Sequence, residues 1–403
     1  MNEIYVVFAI VLLAIFVDKH IALLAALFAL ALRKSKAQLA HGARDIVFLV
    51  VWKPGYHTIG DWTPYWALCV FMAQQYPDIQ FTFETWFPGE CNQMFTAYDQ
   101  NYCRSVSTKQ HNFPNIKARV VNTHPDEAPA EFERLMQLGP VIASGEVDDY
   151  WEDLFPDRPR PPYISLNGDI VGARGARQSF SFISPVFKDF RARGEKARGS
   201  FLPPLDSLQP LPKHVEAFLN TKKKKIAMLA SMEVDANILA RAANDLIQNN
   251  ADVVVLIRVL TPQLAKLAGD LQQSPRLLAT DAYIEFGKVA EIVDVCASSF
   301  GHGSVMWPAV WGKPQARIPQ YGTKAFDKQH FLSTLQKEGV ASTQNDLGTA
   351  VQDILDNFDS FDAAAKALQA KILETDVGEQ YLRDRSSASQ GLHAASQLVW
   401  SLL

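Results

Sequence analysis

Two short stretches hold side chains able to move a proton or to hold an anion. The first is Gly55-Tyr-His57-Thr-Ile-Gly-Asp61. An imidazole titrates near neutral pH, so His57 suits a general base taking a hydroxyl proton. Asp61 is either the alternative base or the carboxylate that orients His57. The structural alternative for His57 is a loop histidine hydrogen-bonded to backbone. The second stretch is Ser298-Ser-Phe-Gly301-His302-Gly303-Ser304-Val-Met-Trp307-Pro308-Ala-Val-Trp-Gly312-Lys-Pro314. Gly301 and Gly303 permit a close approach to the backbone that a Cβ would forbid. Ser304 is placed to cap the helix that follows, whose free amides and dipole suit a phosphate or diphosphate. His302 is either a ligand to that anion or a plain helix-start side chain. Lys313 and Lys324 are candidate cations for a leaving diphosphate. His124, near Asp126 and Glu127, is a second candidate base, on what reads as a solvated turn. Met306, Trp307 and Trp311 read as core residues of the helix.

These loops need strands to hold them. Residues 45–52 (DIVFLVVW) form a continuous apolar run rich in β-branched residues, as in a strand buried on both faces. A helix is expected from near Trp62 to Tyr76, with Pro64 at its start, and a second strand over 79–84. Strand, helix and strand at this spacing make a βαβ unit and a parallel sheet. Further strands are expected at 116–121 and 141–144. Pro203, Pro204, Pro210 and Pro212 mark a linker. Beyond it come a strand at 226–230, a helix capped by Asp235, a strand at 253–257 and a helix from Thr261. Strands at 282–286 and 294–298 follow, then a helix after the second loop, ended by Gly312, and helices near 347–372 and 378–402. The whole reads as two doubly wound domains with ligands at the carboxyl ends of the strands.

The chain has 403 residues, 48% hydrophobic and 20% charged, a globular profile long enough for two sizeable cores. The formal charge of −4 gives no global sign of a nucleic-acid binder, and none is expected as a partner. Four cysteines without a CxxC pair argue against a disulfide framework or a zinc site, and no metal is expected. Residues 174–198 are basic, either a solvated face or a strip against anionic lipid. The N-terminus departs from a soluble profile: residues 4–17 and 21–32 are apolar, broken only by Asp18, Lys19 and His20. Membrane attachment is expected, as a single span or as a monotopic hairpin bent at 18–20. Arg33, Lys34, Lys36 and Arg44 follow the segment, which puts the body in the cytosol, at the endoplasmic reticulum or a similar membrane.

The second loop resembles the donor motif of the UDP-glycosyltransferases, a GT-B-fold family that moves sugars from nucleotide diphosphates to acceptors. With Ser304 on the motif's serine, Gly301, Gly312, Pro314 and Pro319 all fall in register. Asp327 and Gln329 stand for the family's acidic–amide pair, after a longer loop. The family's diphosphate histidine position is Ser299 here, with His302 three residues on, and its glutamate position is Trp307. Its uracil-stacking element is not recognisable, and Tyr283 or Phe286 are the nearest aromatic candidates. Residues 211–219 resemble the family linker, and Gly55-Tyr-His57 with Pro64 is a stretched form of its histidine loop. The resemblance implies an α/β, GT-B-like fold of two doubly wound parallel-sheet domains facing a cleft, preceded by a hydrophobic membrane helix. The divisions are an anchor at 1–33, an acceptor-side domain at 45–210, a nucleotide-sugar domain at 222–375 and a returning helix at 376–403. It implies transfer of a sugar from a UDP-type donor to a hydroxyl of a lipid or hydrophobic acceptor, with the UDP-sugar as co-substrate and no other cofactor. His57 and Asp61 are the catalytic candidates; Ser299, Gly301, His302, Gly303, Ser304, Asp327 and Gln329 are the donor-binding ones. A non-catalytic binding protein on a degenerate GT-B frame and a sugar-nucleotide epimerase are the alternatives.

Overall fold

The computed structural model describes residues 45–52, 59–88, 93–107, 113–123, 127–143, 163–166, 178–181, 195–198, 210–230, 234–259, 261–299, 302–319, 329–375, 396–397 and 399–400. Two parallel sheets organise them. The first has seven strands: β1 (Ile46–Val51), β2 (Phe81–Pro88), β3 (Ile116–Thr123), β4 (Val141–Ala143), β5 (Tyr163–Leu166), β6 (Gln178–Ser181) and β7 (Glu195–Arg198). Their order is β3-β2-β1-β4-β5-β6-β7, so the strand order reverses between β1 and β4. Every residue of β1 is buried, because its alternate side chains enter two cores. Phe48 and Val50 join the cluster holding Trp62 and Met72 of α1 (Ile59–Gln75) and Cys103 of α2 (Gln93–Ser107). Val47, Leu49 and Val51 join Phe132 and Leu135 of α3 (Ala128–Leu138).

Glu84 is fully buried in β2, and the structure shows what permits this. Its Oε1 takes Arg134 of α3 at 2.6 Å and Arg119 of β3 at 3.4 Å, while the Trp86 indole donates to its Oε2 at 2.9 Å. A buried carboxylate persists only with such partners, and this one pins α3 to the sheet. Strands β5 to β7 fall in the acidic-to-basic middle of the chain, where the sequence gives no strand pattern. They have four residues each, too short for a pattern to show, and β7, the edge strand, is Glu-Lys-Ala-Arg, where charge deters pairing with another chain.

The second sheet contains β8 (Lys224–Leu229), β9 (Val253–Arg258), β10 (Leu277–Thr280), β11 (Val295–Ser298) and β12 (Gln315–Arg317), in the order β10-β9-β8-β11-β12. The first five strands of the other sheet run in the same relative order. Around it lie α4 (Lys213–Leu219), α5 (Ala236–Asn249), α6 (Thr261–Asp270), α7 (Phe286–Ile292), α8 (His302–Val310), α9 (Gln329–Lys337), α10 (Leu347–Asp356) and α11 (Phe358–Thr375). Asp235 caps α5 as expected, accepting the Asn237 amide at 2.9 Å.

Several boundaries differ from the sequence reading. The strand expected at 282–286 is absent; β10 ends at Thr280, whose hydroxyl takes the Ala282 amide at 3.1 Å and turns the chain toward α7. The single helix expected over 347–372 is two, parted at Asn357. Helix α1 begins three residues before Trp62, so Pro64 lies inside it. Of the expected helix 378–402, only 396–397 and 399–400 are described; there Trp400 packs against Tyr76 at the end of α1, ring centroids 4.5 Å apart. Among the described residues no helix is long and apolar enough to cross a membrane, and the expected anchor at 4–32 lies outside them.

Candidate functional site

In doubly wound sheets, ligands gather where the strand order reverses, outside the carboxyl ends of the strands. For the second sheet that place lies between β8 and β11, and the loop leaving β11 is the Ser298–Ser304 stretch. Ser298 and Ser299 are buried at its start, and α8 begins at His302. Ser304 is therefore the third residue of α8 and not its cap. Pro308 sits deeper in the helix than expected, and its missing N–H leaves the Ser304 carbonyl without its helical donor. The Ser298 hydroxyl reaches that carbonyl at 3.4 Å, tying the strand end to the first turn of the helix.

The far end of α8 closes as the sequence leads one to expect. Gly312 has φ +61°; its amide donates to Ala309 O at 3.2 Å, and the Lys313 amide donates to Pro308 O at 2.8 Å. This is a Schellman turn. It also removes Lys313 from consideration as a diphosphate cation, since a nine-residue helix puts it about 13 Å from the α8 N-terminus. Lys313 acts instead on Cys296, whose thiol is pushed up to about 12 by burial, eased by Lys313 and reinforced by Asp294.

Strand register supplies cations in its place. Ser298 pairs with Arg317 and with Leu229, Leu229 pairs with Arg258, and Arg258 pairs with Thr280. Residues in register across a parallel sheet share a face, so these five form a row along the carboxyl edge on one side. That side is the one α8 covers, because Leu229 belongs to the same core as Val305 and Met306. Arg317 lies roughly 5 Å from Ser298 across the sheet, and Arg258 about 10 Å away on the other side. Burial lowers the Arg317 pKa from its ordinary value. At the end of the row, His214 of α4 approaches the Thr280 hydroxyl at 3.3 Å. None of Arg258, Arg317 and His214 stands out in the sequence; ends of strands flanking a ligand loop are the signal that finds them.

Trp307, at the family's glutamate position, is buried, and its ring lies over Gly287 of α7, where a Cβ would come within 2.7 Å of it. An indole offers no acceptor for a sugar hydroxyl, so this position serves packing. Of the uracil-stacking candidates, Phe286 packs at the core edge, and Tyr283 stacks on Tyr102 of α2, centroids 4.0 Å apart.

The other predicted residues are distributed as follows. His57 lies outside the described residues, in the stretch 53–58 between β1 and α1. Asp61 is the third residue of α1. Gly303 is half-buried beside Ser304 in the first turn of α8. Gln329 opens α9. Gly301, Lys324, Asp327, His124 and Asp126 lie outside the described residues; Glu127 is exposed at the start of α3. Ser299, Gly303 and Ser304 are thus brought together on one loop–helix junction.

No protein-family model and no curated protein matches the sequence. Solved structures do match the fold. A UDP-glucose:anthocyanidin 3-O-glucosyltransferase in complex with UDP superposes with a TM-score of 0.58 at 12% identity, covering 88% of this chain and 99% of that one. The glycosyltransferase SnogD from Streptomyces nogalater gives 0.55 at 14%, over 89% and 99%. The spinosyn rhamnosyltransferase SpnG gives 0.52 at 14%, over 85% and 100%. The chain has the fold of these glycosyltransferases over most of its length, the fold that the donor-loop resemblance implied.

Proposed function

We propose that the chain is a glycosyltransferase that moves a sugar from a nucleotide diphosphate, UDP first, to a hydroxyl of a hydrophobic or lipid acceptor. The observation that carries this reading is the position of the loop 298–304 at the strand-order reversal of the second sheet, opening α8, in a fold shared with solved UDP-glycosyltransferases. Residues 222–375 hold the donor in this reading, residues 45–210 hold the acceptor, and 376–403 return to the first unit. The diphosphate lies against the α8 amides, with Gly301 allowing its approach, His302 and Ser304 beside it, and Arg317 and Arg258 supplying positive charge. Asp327 and Gln329 hold sugar hydroxyls. His57 takes the acceptor proton, oriented by Asp61, as the bond from the anomeric carbon to the diphosphate breaks and that to the acceptor oxygen forms. Residues 4–32 attach the enzyme to a membrane with its body in the cytosol, which brings the cleft to lipid-borne acceptors.

A thermal-shift screen of the detergent-solubilised full chain tests the donor. UDP and a UDP-sugar are expected to raise the melting temperature, and GDP and its sugars to do so less. Equal, negligible shifts with all of them would overturn the reading. The second reading, a binding protein on a degenerate frame, is favoured by Ser299 and by Trp307 packed on Gly287. It predicts nucleotide binding with neither transfer nor slow hydrolysis of the UDP-sugar.

A further inference from the structure

Tyr102 and Glu285 are 183 residues apart and meet between the two α/β units. The Tyr102 hydroxyl donates to Glu285 Oε1 at 2.6 Å, and both residues are about 95% buried. We propose that this pair is a clasp that fixes how the two units meet, which makes Tyr102 a positioning residue for the transfer reaction. The link to turnover rests on the glycosyltransferase reading; the link to domain position does not.

Glu285 immediately precedes α7, yet its side chain makes no cap bond to that helix, although its carbonyl accepts the Lys288 and Val289 amides. Its carboxylate faces the other unit instead. A carboxylate this buried depends on its donors, so separating the units exposes it or strands it. Burial, then the Glu285 charge and Tyr283, raises the Tyr102 pKa well above its ordinary value, so the hydroxyl keeps its proton and stays a donor.

The clasp also lies between α1 and α7, the first of which follows one candidate loop while the second packs on the helix that follows the other. The Tyr102 ring meets Trp62 edge-on, with centroids 5.8 Å apart, and Trp62 directly follows Asp61 in the first turns of α1. The Trp62 indole is fixed in turn by the Thr85 hydroxyl at 2.8 Å. On the other side, the Tyr102 ring lies on Tyr283, and Tyr283 and Glu285 belong to the segment that enters α7. Gly287 of α7 underlies Trp307 of α8, the helix that follows the donor loop. Contacts therefore run from Trp62 through Tyr102 to Tyr283, then along the chain to Gly287 and across to Trp307 of the donor helix. Contiguity alone does not demonstrate coupling, so position has to be measured.

The test uses the full chain in detergent, with spin labels at Gln74→Cys on α1 and Asp245→Cys on α5, both exposed, in a Cys91→Ser background. Cys69, Cys103 and Cys296 are buried and do not compete for label. Distance distributions are compared for the labelled parent, Tyr102→Phe, Glu285→Gln and the double variant. Tyr102→Phe keeps the ring and removes only the hydroxyl. It is expected to move the open-to-closed ratio roughly ten- to a hundredfold toward a separated population, as loss of one hydrogen bond to a charged acceptor does. Glu285→Gln, whose amide oxygen still accepts, is expected to do less. The double variant should be no more open than Tyr102→Phe, which already removes the bond. With UDP-glucose, kcat of Tyr102→Phe should fall while the donor KM stays within about twofold. Unchanged distances in folded Tyr102→Phe would refute the clasp, and should that variant not fold, unchanged distances in folded Glu285→Leu, which offers no acceptor, would do so. A separated population with undiminished kcat would overturn the positioning role. A parent that transfers no sugar would remove the glycosyltransferase reading, and the distances would still decide the clasp.

Discussion

Arg317 ends β12 one strand from Ser298, on the face that α8 covers, so its charge falls beside the start of the donor loop. If it neutralises a bound diphosphate, Arg317→Ala should weaken UDP about tenfold or more by calorimetry, the scale of a charge-assisted hydrogen bond. Arg317→Lys should recover part of that affinity, and an unchanged affinity in Arg317→Ala would remove the residue from the site. The base is tested by turnover. His57→Ala should slow transfer about a hundredfold or more, with UDP affinity nearly intact and a residual rate that climbs with pH as hydroxide replaces the imidazole. A larger loss in Asp61→Asn would make Asp61 the base. Local sequence carried the loop itself: the Gly-His-Gly-Ser run and the Gly312–Pro314 stop are short-range signals. It misled on one of the two candidate cations. Lys313 is near the loop along the chain, but a helix carries it to the opposite edge, while Arg317 and Arg258 reach the site only through strand register. Register is a long-range property that no window of sequence contains.

Helix termini make the second level of prediction, because each rests on one or two residues. Gly312 sits at φ +61°, and an added Cβ would lie 2.8 Å from Oε1 of Gln369, whose amide donates to Val310 O at 2.6 Å. Gly312→Ala should therefore cost about 1–2 kcal/mol in denaturant unfolding from left-handed strain alone, more if Gln369 is displaced, and Gly312→Asn less. Asp346 caps α10, its Oδ1 accepting the Thr349 amide at 3.0 Å and the Thr349 hydroxyl at 3.1 Å. The Thr349 amide is the main reason its carboxyl titrates below the ordinary range, with Arg241 also contributing. A depressed folded pKa gives stability that is complete above the ordinary carboxylate range and lost as pH falls through the folded value. Asp346→Ala should lose about 1 kcal/mol at neutral pH. Asp346→Asn keeps an acceptor, so it should lose less there and show a shallower decline below pH 4, measured by unfolding across pH. At this level the sequence was legible where side chains act locally, as at Asp235. It was illegible where a single hydroxyl redirects the chain or patches a helix: Thr280 takes the Ala282 amide and turns the chain toward α7 where a strand was expected, and Ser298 reaches the Ser304 carbonyl that Pro308 leaves without its helical donor.

Across the whole molecule, the two sheets repeat one strand order and their carboxyl-edge loops carry the candidate chemistry on both sides. That symmetry was readable from the recurrence of apolar strand and amphipathic helix, except for β5 to β7, four-residue strands that continue the sheet outward from β4 and are too short to carry a pattern of their own. A long apolar N-terminal segment ahead of such a body bears on where the proposed transfer would meet its acceptor. Residues 4–17 are apolar, residues 21–32 are apolar again, and Arg33, Lys34 and Lys36 follow directly. Together the two runs are long enough to cross a hydrocarbon core about 30 Å thick, provided Asp18, Lys19 and His20 are accommodated within it. The basic flank favours the cytosolic side for the body. The full chain should therefore stay with membranes through an alkaline carbonate wash, while a chain starting at Arg44 should be released. In sealed vesicles with an exoplasmic lumen, protease added outside should digest the body. A tag placed before residue 4 should be protected if the segment spans and cleaved if it is a hairpin bent at 18–20. Release of the full chain by carbonate would leave the acceptor without its proposed membrane route. A protected body would reverse the orientation and move the donor supply to the lumen.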